Sequence, residues 1–329
     1  FKLTNLNNKR RQYMVQQDKE RKKRKIMDGL FYASFMIIPL TAFLVFYLYV
    51  NIDSFIMAFQ KPNDAGDGLK FAAFENFIWV FKELKNPDPN NPTDNLGLAF
   101  LNTFKSFGIS IVMFPIGLLV SYFIYKKITG YRLFRIFFYL PTIVSGVVVS
   151  YFFIEFVGSD FFISFLTKLF NIPYQMKDPL VDSDYANKMV FLNMIWLGFP
   201  GSLIIWGGTF SRIPDSIIES AKLDGVNWVQ EMFIIILPLV WPTFVLMITL
   251  QLANVFGATG AVFLLTQGAF GTQTISNWMY MQVLNTSNPL KSNNLYRTSA
   301  MAMMLTTVSC LIAVLVRKFL ASKIEETTY

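Results

Sequence analysis

The side chains best placed for chemistry in this sequence are amides and an indole ring that interrupt long apolar stretches. Asn193 and Trp196 lie in one stretch, and Gln251, Asn254 and Thr259 lie in another. Amides pair with hydroxyl groups such as those of a sugar, and an indole face stacks on a sugar ring. Because polar groups are costly inside apolar spans, these residues indicate either a ligand pathway or hydrogen bonds between helices. Both interpretations stay open for all five.

The residues that most enzymes and metal sites use are almost absent. The 329 residues contain no His and one Cys, Cys310, which excludes His-based triads, His metal sites and internal disulfides. The phosphate-binding pattern G-x-x-x-x-G-K-[ST] does not occur in the sequence. We therefore expect no catalytic residue, no metal site and no cofactor bound by this chain.

The composition and the distribution of charge indicate a membrane protein. Hydrophobic residues make up 53% of the chain and charged residues only 15%, against about 25% in an ordinary soluble domain. Residues 1–27 contain ten Lys and Arg and two acids, so they account for the whole formal charge of +8. A basic tail on a neutral apolar body favours a membrane anchor, in contact with anionic lipid, over a nucleic-acid partner.

Six stretches have the roughly 20 apolar residues that a helix needs to cross a bilayer. The fold class expected is therefore an all-α integral membrane protein with six transmembrane helices. The stretches are 28–51, 100–125, 135–157, 188–210, 239–265 and 298–320.

The Lys and Arg count predicts the direction of the spans. With the N-terminus in the cytoplasm, the inner segments hold 19 Lys and Arg and the outer segments hold eight. Short basic loops are retained in the cytoplasm, so both termini are expected inside a plasma or inner membrane. The predicted parts are a basic tail 1–27, a first span 28–51, an extracytoplasmic loop 52–97, a core 98–320 and a cytoplasmic tail 321–329.

The two long outer loops differ in their patterns. The segment NPDPNNPTDN predicts turns without regular structure, and FENFIWVFKEL before it has the apolar spacing of a helix. The run FFISFLTKLF in the next outer loop is too short to span a bilayer.

Residues 211–238, here called the elbow, have unusually complete helix signals for a cytoplasmic loop. Pro214 suits a first helical position, Asp215 complements the dipole of the first turn, and Gly225 suits a left-handed C-terminal cap. Asn227 then reads as a new N-cap, with Gln230 in capping-box position, and Pro238 stops or kinks the second helix.

The first elbow helix is too short to be stable alone in water. It is expected to expose Ile217, Ile218 and Leu223 beside Glu219 and Asp224, and these apolar groups need a partner surface.

The elbow resembles the signature of binding-protein-dependent ABC importer permeases. That signature is Glu-Ala-Ala, three residues, Gly, nine residues, then Ile-x-Leu-Pro, and both spacings are kept in ESAKLDGVNWVQEMFIIILP. The one departure is Ser220 in place of the first Ala, and Asp224 before the glycine matches a common form. The matching positions are Glu219, Ser220, Ala221, Gly225, Ile235, Leu237 and Pro238.

The resemblance implies that the elbow contains the coupling helix, which docks in a groove of a cytoplasmic ATPase through residues that include Ile217. It also implies a second permease subunit in a heterodimer, an ATPase dimer that binds ATP and Mg²⁺, and an extracytoplasmic solute-binding protein. Nucleic acid is not an expected partner.

A second resemblance narrows the expected cargo. YRLFRIFFYLPTIVSGVVVSYFF is similar to the third-span region of carbohydrate permeases of the maltose and glycerol-phosphate kind. The segment LLTQGAFGTQT resembles a loop of the same subunits at Leu265, Thr266, Gly268 and Thr274, and departs from it at Gln267, Ala269 and Phe270. These resemblances imply a permease subunit that forms half of a pathway for a sugar or oligosaccharide.

Two alternatives stay open. The same machine could carry a sugar phosphate, a polyol or an amino acid, although the middle of the spans lacks the Arg that a phosphate site favours. A channel or a membrane enzyme is the other alternative, but an enzyme needs intramembrane His, Asp or paired carboxylates, which the interior of the spans lacks.

Overall fold

The computed structural model describes residues 2–63, 68–85, 95–170, 178–257, 260–284 and 292–322. Residues 1–57 and 58–329 form two separate units. The first unit is one long helix: α1 (Lys2–Ala42), a π-helical segment (Phe43–Tyr49) and α2 (Val50–Ala58). Its stretch Lys19–Ala58 is long and apolar enough to cross a membrane, and it extends beyond the predicted span on both sides.

Three helices of the second unit meet the same test singly. They are α4 (Leu96–Tyr125), α8 (Ala186–Phe210) and α15 (Asn294–Ala321). Two further stretches meet it only as bent pairs, so the described residues contain four straight candidate spans and up to six when each pair is counted as one. The prediction of an all-α membrane bundle is confirmed.

The third predicted span is bent by 109° between α5 (Tyr131–Ile143) and α6 (Gly146–Val157). The stretch predicted as the third span is thus two helices, which together still meet the length and composition test for one span. Val144 has an extended backbone, with φ −86° and ψ 146°, so the helical hydrogen-bond pattern cannot continue through it.

The fifth predicted span, 239–265, is also not one helix. The chain bends by 77° between Trp228–Leu239 and α12 (Trp241–Ala253), and Pro242 in the first turn of α12 lacks the N–H that would continue the preceding helix. A separate helix, α13 (Gly260–Leu265), follows α12.

The segments predicted as long outer loops are partly structured. A two-stranded antiparallel hairpin, β1 (Gln60–Pro62) and β2 (Leu69–Phe71), precedes α3 (Glu75–Lys85), which confirms the helix predicted from FENFIWVFKEL. Helix α7 (Asp160–Phe170) has 11 residues, too few to span. The predicted turn segment lies, except for Asn95, outside the described residues. Helix α14 (Ile275–Leu284) leads towards α15.

The largest core cluster joins α4 and α8 to the elbow. Helices α4 and α8 lie so close that a Cβ on Gly117 would come within 2.6 Å of the Ser202 hydroxyl. Large buried side chains of α4 and α8 pack against buried residues in and just after the elbow. The helix residues are Phe114, Leu118, Tyr122, Trp206 and Phe210, and the others are Ile213, Ile218, Met232, Ile236 and Val240. The elbow is therefore attached to the spans by packing as well as by chain connection.

Candidate functional site

The first elbow helix, α9 (Asp215–Leu223), ends as the sequence predicts and begins one residue later than predicted. Pro214 is its N-cap residue rather than its first helical residue, and Asp215 lies in the first turn. Gly225 has a φ of +71°, in the left-handed region that favours glycine. The Gly225 N–H donates to the Lys222 carbonyl at 3.2 Å and the Val226 N–H donates to the Ala221 carbonyl at 3.1 Å. This pair of bonds is a Schellman motif, which satisfies the last carbonyls of the helix.

A capping box starts the second part of the elbow at once. The Asn227 side chain accepts from the Gln230 N–H at 2.9 Å, and the Gln230 side chain accepts from the Asn227 N–H at 3.1 Å, as predicted. Helix α10 (Trp228–Gln230), a π-helical segment (Glu231–Ile236) and α11 (Leu237–Leu239) follow without a break. Two caps on either side of one left-handed glycine give the turn a defined angle.

Helix α9 has an inner face and an outer face. Ile218 and Ala221 are buried, and Ile218 belongs to the core cluster shared with α4 and α8. The expectation that Ile218 is exposed was wrong, because residues at the ends of α4 and α8 cover it. Leu223 is 89% exposed, Glu219 is exposed as well, and Ile217 is half-buried.

The remaining signature residues lie on α9, at its C-terminal cap or in the second part of the elbow. Ser220 is exposed, and its hydroxyl donates to the Ser216 carbonyl at 2.8 Å, so it fits the place of an alanine without strain. Asp224 is exposed as the C-cap residue of α9. Ile235, Leu237 and Pro238 are half-buried, and Leu237 packs against the core cluster.

A buried ion pair that the sequence analysis missed ties the elbow to α4. The Lys126 ammonium donates to both carboxylate oxygens of Glu231, at 2.7 and 2.8 Å. The Glu231 side chain is 5% exposed and that of Lys126 is 23% exposed. Lys126 enters the sequence analysis only within the Lys and Arg count of the inner segments. Glu231 comes directly before the apolar run 232–237, and this position indicates a buried carboxylate that needs a partner.

Asn193 and Trp196, on α8, have different surroundings. Asn193 is fully buried, and neither atom of its amide has a hydrogen-bond partner among the described residues. A buried amide of this kind needs a polar partner, such as water or a solute. Trp196 lines a cavity of about 560 Å³ whose other walls are apolar, beside Phe152 and Phe153.

The described candidates on the fifth stretch, Gln251 and Asn254, have different surroundings. Gln251 borders a small cavity of about 80 Å³ together with Ser110, Gly198 and Ser202. Asn254 is exposed at the end of α12, where its amide lies against Gly257. Thr259 lies outside the described residues. A pathway role for each of the five candidates stays a prediction.

The 266–274 loop forms a second polar cluster. Asn102, fully buried near the start of α4, donates to the carbonyls of Gly271 and Gln273 at 2.7 and 3.0 Å. Asn187 of α8 also donates to the Gly271 carbonyl, at 2.8 Å. Sequence reasoning missed both asparagines, since only the fold brings them to the loop.

Two residues of this loop have strained backbones. Gln267 and Phe270 have φ values of +54° and +55°, and both are departures from the sugar-permease pattern. A left-handed conformation costs about 1–3 kcal/mol for a residue other than glycine. Inside the loop, the hydroxyls of Thr266 and Thr272 share a hydrogen bond of 2.5 Å. The bonds within the loop and to the asparagines offset this strain.

We expect Asn102→Ala to lower the stability of the protein by about 2 kcal/mol, because the Gln273 carbonyl loses its donor and Gly271 keeps only Asn187. Asn187→Ala is the matched variant. It removes one hydrogen bond instead of two, so it should lower the stability of the protein by about half as much. Thermal unfolding followed by tryptophan fluorescence measures both. Equal midpoints for the two variants would contradict this account of the loop.

This arrangement defines a polytopic membrane protein with a well-capped elbow at one end of α4 and a hydrogen-bonded loop at the other. The chain belongs to the family of binding-protein-dependent transport system inner membrane components, whose model matches residues 113–326. The predicted family is thereby confirmed, and the chain is a permease subunit rather than an enzyme.

Two relatives are sugar-transport permeases by name. The arabinooligosaccharides transport system permease protein AraP of Bacillus subtilis is 26% identical over 276 residues, which is 79% of this chain and 80% of AraP. The multiple sugar-binding transport system permease protein MsmF of Streptococcus mutans is 23% identical over 299 residues, which is 89% of this chain and 96% of MsmF.

Two solved structures have the same fold. A chain of a bacterial ABC transporter that imports the acidic polysaccharide alginate superimposes with a TM-score of 0.71 at 18% identity, over 93% of this chain and all of that chain. A chain of the alginate transporter in complex with an alginate pentasaccharide-bound periplasmic protein has a TM-score of 0.68 at 20% identity, over 92% and 97% of the two chains.

Proposed function

We propose that this chain is a membrane-spanning subunit of an ATP-driven importer for a sugar or oligosaccharide, that it forms half of the pathway, and that α9 couples it to a cytoplasmic ATPase. The family and the names of AraP and MsmF support a sugar cargo. The fully buried Asn193 amide is the strongest candidate for a pathway group on this chain.

The observation that carries the coupling proposal is the division of α9 into two faces. Its inner face, Ile218 and Ala221, is fixed to the span ends, whereas its outer face presents Leu223 and Glu219 to solvent. Within the described residues, Glu219 forms no ion pair. An exposed leucine next to an unpaired acid on a rigid helix suits docking in an apolar groove with a basic group at its edge.

The proposed assembly follows from the family. It comprises a second permease subunit in a heterodimer, an ATPase dimer that binds ATP and Mg²⁺, and an extracytoplasmic solute-binding protein. The solved complex of the alginate transporter with its periplasmic protein supports the last of these. The Lys and Arg distribution supports both termini in the cytoplasm, which puts the elbow on the ATPase side.

We expect Leu223→Asp to weaken ATPase retention at least about tenfold, because burying a leucine stabilises an interface by about 1.5–3 kcal/mol and a carboxylate there adds a desolvation cost. Retention is measured by co-purifying the assembled transporter at increasing dilution and quantifying the ATPase. Leu69→Asp makes the same substitution at an exposed position of strand β2, so it is the matched control and should retain the ATPase normally.

Normal ATPase retention by both Leu223→Asp and Glu219→Lys would overturn the coupling assignment. The cargo is tested separately, by uptake of labelled oligosaccharides into vesicles that contain the complex and its binding protein. Competition by sugar phosphates, polyols or amino acids, but not by oligosaccharides, would replace the sugar assignment with the corresponding cargo.

A further inference from the structure

A basic cavity of about 350 Å³ lies between the ends of α4 and α8, the start of α5 and the inner side of α9. Four cations line it, Lys126, Lys127, Arg135 and Lys222, against one acid, Asp215. Lys126 is already paired with Glu231. In the described part of the chain the other three cations form no ion pair, so the cavity has an unbalanced positive charge.

The wall of this cavity also offers an unused hydroxyl. Ser121 is 2% exposed, and its Oγ has no hydrogen-bond partner among the described residues. Gly207 lines the opposite wall, where a Cβ would meet only the Tyr139 hydroxyl, at 3.6 Å. A buried hydroxyl beside three unpaired cations is the donor set that a phosphate group uses.

Helix α5 lines both this cavity and a separate apolar one. Arg135 and Tyr139 line the basic cavity, whereas Phe137, Phe138 and Pro141 line the apolar cavity of about 560 Å³. Arg135 and Pro141 are six positions apart, which corresponds to about 9 Å along the helix axis. The outer surface of the same helix exposes Leu133, Ile136, Phe137 and Leu140. A ligand that fills both cavities must have an anionic end and an apolar chain.

We propose that the basic cavity binds the phosphate headgroup of an anionic glycerophospholipid whose acyl chain follows α5 into the apolar cavity. Lys127, Arg135 and Lys222 bind the phosphate, and Ser121 donates a hydrogen bond to it. Because Asp215, Ile218 and Lys222 of α9 also line the cavity, the bound lipid contacts the inner side of the elbow. Anionic lipid therefore supports the position of α9 relative to the spans.

The test measures lipid binding to the complete, detergent-purified transporter complex by native mass spectrometry, with phosphatidylglycerol and phosphatidylcholine of the same chain length. We expect phosphatidylglycerol to bind more tightly. Each cation near an anionic lipid contributes about 1 kcal/mol, so Arg135→Gln should weaken binding about 5-fold and Lys127→Gln/Arg135→Gln about 30-fold. Arg317→Gln/Lys318→Gln, an exposed pair at the end of α15, is the matched control and should leave binding unchanged.

Four results would overturn the proposal. Equal binding of the two lipids would show that the cavity is not specific for an anionic headgroup. Equal loss of phosphatidylglycerol binding in the test and control double variants would show that the lipid is not bound at this cavity. Inorganic phosphate that binds as tightly as phosphatidylglycerol, with the same dependence on Arg135, would make it a site for free phosphate. If Lys127→Gln/Arg135→Gln lost the ATPase but bound lipid normally, these cations would contact the ATPase and not a lipid. Binding is measured without transport, so these results do not bear on the proposed importer function.

Discussion

Gly225→Val is expected to reduce ATP-driven uptake about 30-fold. The glycine has a φ of +71°, and a β-branched residue in this left-handed conformation costs about 2 kcal/mol. The cause is backbone strain and not crowding, because a Cβ at this position would have no neighbour within 4 Å. The strain favours other angles between α9 and α10, so the outer face of α9 no longer moves with the spans. Uptake and ATP hydrolysis are measured on the same vesicles.

Gly225→Asn is the matched control, since asparagine tolerates the left-handed region far better than valine does. It should keep most of the uptake, and both variants should assemble normally on gel filtration. Wild-type uptake by the Gly225→Val vesicles, or an equal loss in the two variants, would show that the angle at this glycine does not matter for transport.

The second large effect concerns the ion pair between Lys126 and Glu231. We expect Lys126→Met to lower the stability of the protein by about 2–3 kcal/mol, because it leaves a carboxylate buried without its cation. The partial exposure of Lys126 keeps this value below that of a fully buried pair. The midpoint of thermal unfolding in detergent, followed by tryptophan fluorescence, should fall by roughly 5 °C.

Two further variants make this test specific. Lys105→Met removes the same charge from an exposed position on the same helix and should leave the midpoint unchanged. Lys126→Met/Glu231→Met removes both charges and should recover most of the lost stability, because no unpaired charge is then buried. If the double variant were less stable than Lys126→Met, the pair would not be the source of the effect.

The elbow could be predicted from the sequence because its signals are local. A left-handed cap requires glycine, and a capping box requires two residues three apart, so Gly225, Asn227 and Gln230 determine the turn whatever surrounds it. The membrane-length helices could be predicted for a similar reason, since composition over about 20 residues is enough.

The remaining features depend on contacts between distant residues. Lys126 and Glu231 are 105 positions apart, and Asn102 and Gly271 are 169 positions apart, so no local pattern connects them. The inner face of α9 was misjudged at Ile218 because its cover comes from α4 and α8. Apolar composition continues through Val144, so composition does not locate that bend, whereas the bend at Val240 lies two residues after Pro238, where a stop or kink was predicted.

Helix α4 links the elbow to the 266–274 loop without an intermediate element. Asn102 bonds the loop near its start, and Lys126 bonds Glu231 just beyond its end. Its 30 residues correspond to about 45 Å, which exceeds the thickness of a bilayer core. A tilt of this one rod moves its two ends in opposite directions. The elbow and the 266–274 loop are therefore bonded to opposite ends of one helix, so a displacement of either end of α4 is felt at both.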